Sequence, residues 1–226
     1  MEPVARNVRQ FVYDYVRETS APPVLEQVMR RFALTRVEAR AAFEEIQRHK
    51  QIVLLPGTER ILMAHPFSAI PTPYRVIAED GRTYFANCSW DSIAIHVALG
   101  IDVRIDSFCH QGGETIVIEL AHETVKSVQP EGTIVYLALP AARWWRDIIH
   151  ACSNTMVFFS SRDRLDAWLT LNRIEQPGEA LTIEQAIDLS RPIYAGKMEA
   201  DYERPSPADL QHHFETMGLT GPFWAL

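Results

Sequence analysis

At 226 residues, 47% hydrophobic and 23% charged, the chain has the composition of an ordinary folded protein with one large domain, or a small domain joined to a medium one. Its formal charge of −7 argues against nonspecific nucleic-acid binding by the molecule as a whole. No run approaches a membrane span, and Met1-Glu2-Pro3 lacks the basic and apolar regions of a secretory leader, so a cytoplasmic protein is expected.

Residues 5–17 carry Val8, Phe11, Val12, Tyr15 and Val16 at helical spacing. Thr19 to Pro23 breaks that pattern, and Pro23 suits the first turn of a second helix with Val24, Leu25, Val28, Met29 and Phe32. Thr35 is placed to cap a third helix running to about His49, with Glu38 completing a capping box. On that helix Val37, Ala41, Phe43 and Ile46 are expected on or near the buried side. Residues 51–64 read as a β-hairpin around Pro56-Gly57-Thr58. Three helices and a hairpin, residues 1–64, follow the order of a winged helix, whose third helix reads DNA in many proteins. Arg36, Arg40 and Arg48 lie there, but so do Glu38, Glu44 and Glu45, which repel phosphate. Residues 1–60 hold 10 Lys/Arg against 8 Asp/Glu, a weakly basic balance far below that of a strong DNA binder. A packing or lid domain is the favoured reading, and nucleic acid is not expected as a partner.

Residues 65–73 contain Pro66, Pro71 and Pro73, which prevent a helix and stiffen a linker. From Tyr74 the texture turns to strands: residues 74–78, a turn at Glu79-Asp80-Gly81-Arg82, then residues 83–86 leading to Cys88. Ile93, Ile95, Val97, Ala98 and Leu99 suit a short buried helix ending at Gly100. Further strands are expected at 102–106, 114–119, 133–139 and 155–159, with a loop and short strand between His122 and Gly132. Helices are expected from Arg162, near 182–189 with Thr182 and Gln185 as its capping pair, and near 208–217. The expected class is α+β: a winged-helix-like N-terminal domain, then a mostly antiparallel or mixed sheet core with flanking helices over residues 74–226. The apolar tail is expected to dock on the body of the protein.

Three cysteines, Cys88, Cys109 and Cys152, are odd in number and widely spaced, so neither a disulfide framework nor paired zinc knuckles is implied. Cys88 and Asp91 stand three apart where the strand pattern turns helical, so they share a face. A carboxylate beside a thiol is an unusual core pair, because a nearby anion raises the thiol's pKa. The plain alternative makes Cys88 a small core hydrophobe and Asp91 a helix cap. Cys152 follows Trp144-Trp145 and directly precedes a buried strand. If Cys152 meets Cys88 and Asp91, two soft donors join one acid/base group, a set suited to a thiophilic metal and poor for tetrahedral zinc. No clear Cys–His pair beyond His96 and His150, no phosphate-binding glycine loop and no metalloprotease motif is present.

Gly81-Arg-Thr-Tyr-Phe-Ala-Asn-Cys88-Ser-Trp-Asp91, Leu99-Gly100, Asp106-Ser-Phe-Cys109 and Ala151-Cys152 through Phe159 resemble the alkylmercury (organomercurial) lyases, as do the helix-rich N-terminus and His65-Pro66-Phe67-Ser68. The resemblance implies cleavage of a carbon–mercury bond. Cys88 and Cys152 would bind mercury, Asp91 would move the proton and could also approach the metal, and Cys109 would be structural. It implies no organic cofactor, with mercury as substrate and product, and an external thiol or a mercuric reductase as acceptor. A monomer or a homodimer fits equally. Trp90 stands where a smaller aliphatic residue is expected, and one extra residue separates Cys152 from Phe158-Phe159. With Trp144-Trp145, these departures imply a pocket of different shape. Two alternatives stay open: a thiolate metal sensor using the N-terminal domain on DNA, and a relative acting on another organometalloid or thiol-dependent substrate.

Overall fold

The computed structural model describes all 226 residues. Helix α1 (Pro3–Thr19) buries Val8, Val12, Tyr13 and Val16, and Ser20 closes it in the left-handed conformation. It is followed by α2 (Leu25–Phe32) and α3 (Arg36–Arg48). At the start of α3, the Thr35 hydroxyl accepts from the Glu38 amide and the Glu38 carboxylate accepts from the Thr35 amide. That reciprocal cap satisfies two backbone donors the helix cannot satisfy itself. Ala39, Ala42, Phe43 and Ile46 form its buried face, with the i, i+3, i+4, i+7 spacing of one stripe. Val37 is 77% exposed and Ala41 is exposed too, contrary to expectation. They lie four apart on the opposite side, so the sequence reading had merged two faces.

Strands β1 (Ile52–Leu54) and β2 (Ile61–Ala64) pair antiparallel, and β3 (Phe67–Ser68) adds to β2 as a third strand. The proline-rich stretch 65–73 thus contributes a strand, and Phe67 also bridges to Ala86. Of the three arginines on α3, Arg36 is paired with Glu26 and Glu59, and Arg40 with Glu44 at 2.8 Å. Those two charges are locally compensated.

The larger sheet contains β4 (Arg75–Ala78), β5 (Thr83–Phe85), β6 (Val103–Phe108), β7 (Thr115–Ala121) and β8 (Thr124–Gln129), in the order β5-β4-β6-β7-β8. A smaller sheet places β9 (Ile134–Leu137) between β10 (Met156–Phe159) and β11 (Glu179–Leu181). Every pairing is antiparallel, so the class is α+β with no mixed sheet. Alternation on β7 buries Ile116, Ile118 and Leu120, as one covered face requires. The loop expected after His122 is mostly strand. His122 and Glu123, both at positive φ, make the turn between β7 and β8.

Helix α4 (Ser89–Leu99) is enclosed: every residue from Ser89 to His96 is buried, and α7 (Ile183–Tyr194), β10, β4 and β6 pack around it. A helix covered on all sides has no solvent-facing stripe, which is why its sequence shows little amphipathic period. The remaining helices are α5 (Ile148–Thr155), α6 (Arg162–Leu171) and α8 (Pro207–Thr216). The tail docks as expected: Trp224 is buried against Trp144 and Phe214, and the Ala141 amide donates to the Phe223 carbonyl at 2.9 Å.

The two ends of the chain are also joined. Arg9 on α1 donates to Gln51 Oε1 at 2.6 Å, to the Glu199 carbonyl at 2.8 Å and to the Lys197 carbonyl. Lys197 is buried between the Tyr13 and Tyr202 rings, donating to Gln51 Oε1 at 3.2 Å. Burial, then the nearby guanidiniums of Arg9 and Arg204, hold the Lys197 amine well below its usual range. No helix is long and apolar enough to cross a membrane.

Candidate active site

The chain leaves β5 at Phe85 and turns into α4 through Asn87 and Cys88. Cys88 is the N-cap residue, with extended backbone, and its Sγ accepts from the Asp91 amide at 3.3 Å. A sulfur thus replaces the usual Ser or Asp cap oxygen, and the positive end of the helix dipole faces it. This is the form in which the Cys-x-x-Asp spacing brings its two residues together.

Asp91, in the first turn, is buried and surrounded by donors. Tyr194 at the end of α7 donates its hydroxyl to Oδ1 at 2.7 Å. Asn87 donates to Oδ2 at 3.0 Å, and His65 Nδ1 lies 3.5 Å from the same oxygen. Cys152 Sγ is 3.8 Å from Oδ2. A buried carboxylate survives only with such partners, because isolated it loses far more solvation than packing returns.

Cys152 lies on α5, a helix the sequence reading did not include, and the next turn of chain enters β10. Cys88 and Cys152 both adjoin Asp91, Cys88 Sγ accepting from its amide and Cys152 Sγ approaching its Oδ2. Burial, the neighbouring Cys152 side chain and the Asp91 charge push the Cys88 thiol well up. For Cys152 the neighbouring Cys88 favours the thiolate, but burial and Asp91 outweigh it and the net direction is also up. Asp91 is thus the residue that both sulfurs contact, Cys152 at its carboxylate and Cys88 at its amide. Both thiols are protonated at neutral pH and need an electrophile to displace the proton.

The thiols differ in access. A cavity of about 20 Å³, room for about one water, is bounded by His65, Trp90, Asp91, Trp145, Cys152 and Tyr194, among others. Cys152 faces it, while Cys88 lies behind, fully buried, with Met156 Sδ 3.8 Å from its sulfur. Trp90 is the wall opposite. Its indole donates to Ser190 Oγ at 2.8 Å and packs on Trp144, with ring centroids 5.3 Å apart.

Cys109 is engaged elsewhere. Its thiol donates to the Gln111 carbonyl at 2.8 Å and accepts from the Ser160 amide at 3.3 Å, joining the turn after β6 to the end of β10.

Residues 67–195 match the sequence model of the MerB alkylmercury lyase family. The chain belongs to the alkylmercury lyase family. Among curated relatives, an alkylmercury lyase of Bacillus cereus is 31% identical over 141 residues, 62% of this chain and 59% of that protein. One from Staphylococcus epidermidis is 26% identical over 148 residues, 66% of this chain and 63% of the relative. The matched region thus spans about three fifths of these relatives' length. A crystal structure of the mercury-bound form of MerB2 superposes with a TM-score of 0.65 at 21% identity, covering 83% of this chain and 88% of that one, a likeness of fold.

Three further residues, His65, Asn87 and Tyr194, surround Asp91 in the fold. His65, Asp91 and Cys152 offer ligand atoms all within 4.8 Å of one another, and all three are buried. His65 had been placed in a linker. In the fold its carbonyl lies 3.0 Å from the Tyr13 hydroxyl, its ring meets Trp145 edge-on at 5.3 Å, and its Nε2 has no protein partner. Asn87 adjoins Cys88, and that position is its one local signal. Tyr194 stands 103 positions after Asp91, and nothing local marks it.

Proposed function

We propose that this protein is an organomercurial lyase that protonolyses the carbon–mercury bond of R–Hg–X, releasing R–H and holding Hg(II) on Cys88 and Cys152. The observation that carries the reading is the buried Asp91 with Cys152 Sγ 3.8 Å from its Oδ2 and Cys88 Sγ on its amide, beside a cavity that Cys152 faces. Soft thiolates prefer mercury over harder cations, and a buried pair with no aqueous competitor suits it well.

Cys152 captures the mercurial first: its sulfur bonds to mercury, X⁻ departs, and the thiol proton leaves with it as X–H. Cys88 then gives its proton to Asp91 and becomes the second sulfur on mercury, adding electron density to the metal. Asp91-H passes that proton to carbon as the carbon–mercury electron pair moves onto it, and Asp91 is again a carboxylate. Two external thiols finally exchange with the bound Hg(II) and reprotonate both cysteines. Tyr194 and Asn87 hold the Asp91 carboxylate in place between the two transfers. No organic cofactor takes part.

Hydrocarbon released from phenylmercury or methylmercury in the presence of excess thiol, measured by gas chromatography, tests this directly. Benzene or methane should appear in step with Hg(II), and mercury bound without any hydrocarbon would overturn the assignment. Tyr194→Phe removes the 2.7 Å bond that orients Asp91. It should lower kcat by about 10- to 100-fold with little change in KM, the usual size of a lost supporting hydrogen bond at a reacting group. A kcat within twofold of the unaltered chain would remove Tyr194 from the mechanism.

A further inference from the structure

Outside the cavity lies a groove of about 320 Å³ whose wall includes Arg48, His49, Lys50, Trp145 and Arg204. It shares Trp144, Trp145, Ile193 and Arg204 with the inner cavity, so the two adjoin across those side chains. The inner cavity has room for about one water. For a group carried by a mercury atom at Cys152 that outgrows the inner cavity, this groove is the neighbouring space beyond the tryptophans.

Among the ionisable side chains on that groove only cations and His49 occur, and the one carboxylate on its lining is the main-chain one of Leu226. No Asp or Glu side chain lines it. The Lys50 ammonium and the Arg204 guanidinium approach the same Trp145 ring, at 5.6 and 4.7 Å from its centroid. The indole stabilises both only partly. Burial and then the Arg204 charge push the Lys50 amine down, with no carboxylate acting in the other direction. Arg36 and Arg40, on the same N-terminal segment, each have an acidic partner. Two like charges held over one ring, beside the cavity that Cys152 faces, form a place where an anion relieves repulsion and gains charge-assisted hydrogen bonds.

We propose that this groove is a carboxylate-binding mouth, with Arg204 and Lys50 as the specificity-determining residues, and that it selects mercurials presented with a carboxylate. The inference rests on the lyase reading for its use of Cys152. The carboxylate has two possible sources: the organic group itself, or the thiol that accompanies mercury as X. The chemistry recognised is the same in both.

Steady-state hydrocarbon release separates the sources. Phenylmercury and 4-carboxyphenylmercury would each be offered with 2-mercaptoethanol and with mercaptosuccinate at low salt. The carboxylated partner should raise kcat/KM about tenfold, the size of a charge-assisted bond at a partly buried site. An increase confined to the mercurial assigns the organic group, and one confined to the thiol assigns the carrier. In Lys50→Gln/Arg204→Gln the ratio of carboxylated to neutral substrate should fall to near one, and Arg204→Lys should keep most of it. A ratio near one for the unaltered chain, or one that survives the double substitution, overturns the proposal.

If none of the four pairs releases hydrocarbon, the lyase reading fails separately. Titration of the mercury-free protein with mercaptosuccinate and with benzoate, followed by tryptophan fluorescence, then decides the matter alone. Binding at least tenfold tighter to the unaltered chain than to the double variant supports the mouth, and equal responses sink it. Lys50→Gln by itself, at an exposed position, gives the same readout if the double variant does not fold.

Discussion

Replacing Cys152 with serine should reduce hydrocarbon release from phenylmercury by about 10³-fold or more, the scale seen when a covalent nucleophile is removed. The substitution is nearly isosteric, and the serine hydroxyl can still donate to Asp91, so circular dichroism and the melting temperature should change little. What is lost is softness: an alkoxide or hydroxyl is a poor match for mercury, and Cys152, at 3% exposure, is the sulfur that faces the cavity. Cys88→Ser should be as damaging to turnover but different in kind. Cys152 can still capture one equivalent of R–Hg⁺, so a stable one-to-one adduct should be seen by mass spectrometry without release of R–H. If Cys88→Ser blocks capture while Cys152→Ser permits it, the order of attack is reversed. The pH dependence has a definite sign. Both thiols are held above the ordinary range by burial and by Asp91, so the thiolate needed for capture is scarce at neutral pH. Capture by the unaltered chain should accelerate with rising pH through and beyond the ordinary thiol range, about 8.5. A rate that is flat from pH 7 to 9 would argue against thiol deprotonation as the controlling step.

The sequence was most informative where a local pattern carries its own physics. The reciprocal cap at Thr35 and Glu38, the one at Thr182 and Gln185, and the alternation on β7 all depend on neighbours a few residues away. The same holds for Cys88 and Asp91, which one turn of helix brings together whatever the rest of the chain does. Reading failed where position is decided by distant packing. Val37 and Ala41 follow an apolar pattern on α3, but only the placement of α1 and β1 determines which side of that helix is covered. Helix α5 was missed because its sequence, Ile148 to Thr155, is short, polar in places and capped by Asp147 in an unremarkable context. Tyr194 and His65 belong to the site only because α7 packs on α4 and because Tyr13 and Trp145 hold His65 against Asp91. The resemblance to a family supplied the long-range pairing of Cys88 with Cys152 that no local pattern contains. Trp90, singled out as a departure, does shape the cavity, and its bond to Ser190 commits α7 as the opposite wall.

Asp91→Asn should separate binding from cleavage. The amide keeps the size of the carboxylate and can keep its neighbours: its oxygen can accept from Asn87, and its nitrogen can donate to the Tyr194 hydroxyl, which accepts as readily as it donates. The pocket is therefore retained, and both thiols remain. Removing the negative charge also removes one of the causes that raise Cys88 and Cys152, so capture of R–Hg⁺ should be no slower than in the unaltered chain and could be faster at a given pH. Protonolysis is another matter. An amide has no proton to give at neutral pH, and the enclosed cavity admits little water to substitute for it. General-acid catalysis is worth about 10²- to 10⁴-fold, and kcat for hydrocarbon release should fall by that amount. The intermediate with R–Hg held by the cysteines should accumulate and be countable against protein by mass spectrometry. Parallel loss of capture and cleavage would make Asp91 a ligand or a structural support and not the proton donor. Unchanged cleavage would transfer the proton to another group, and His65, 3.5 Å from Asp91 in the same cavity wall, would be the residue to substitute next.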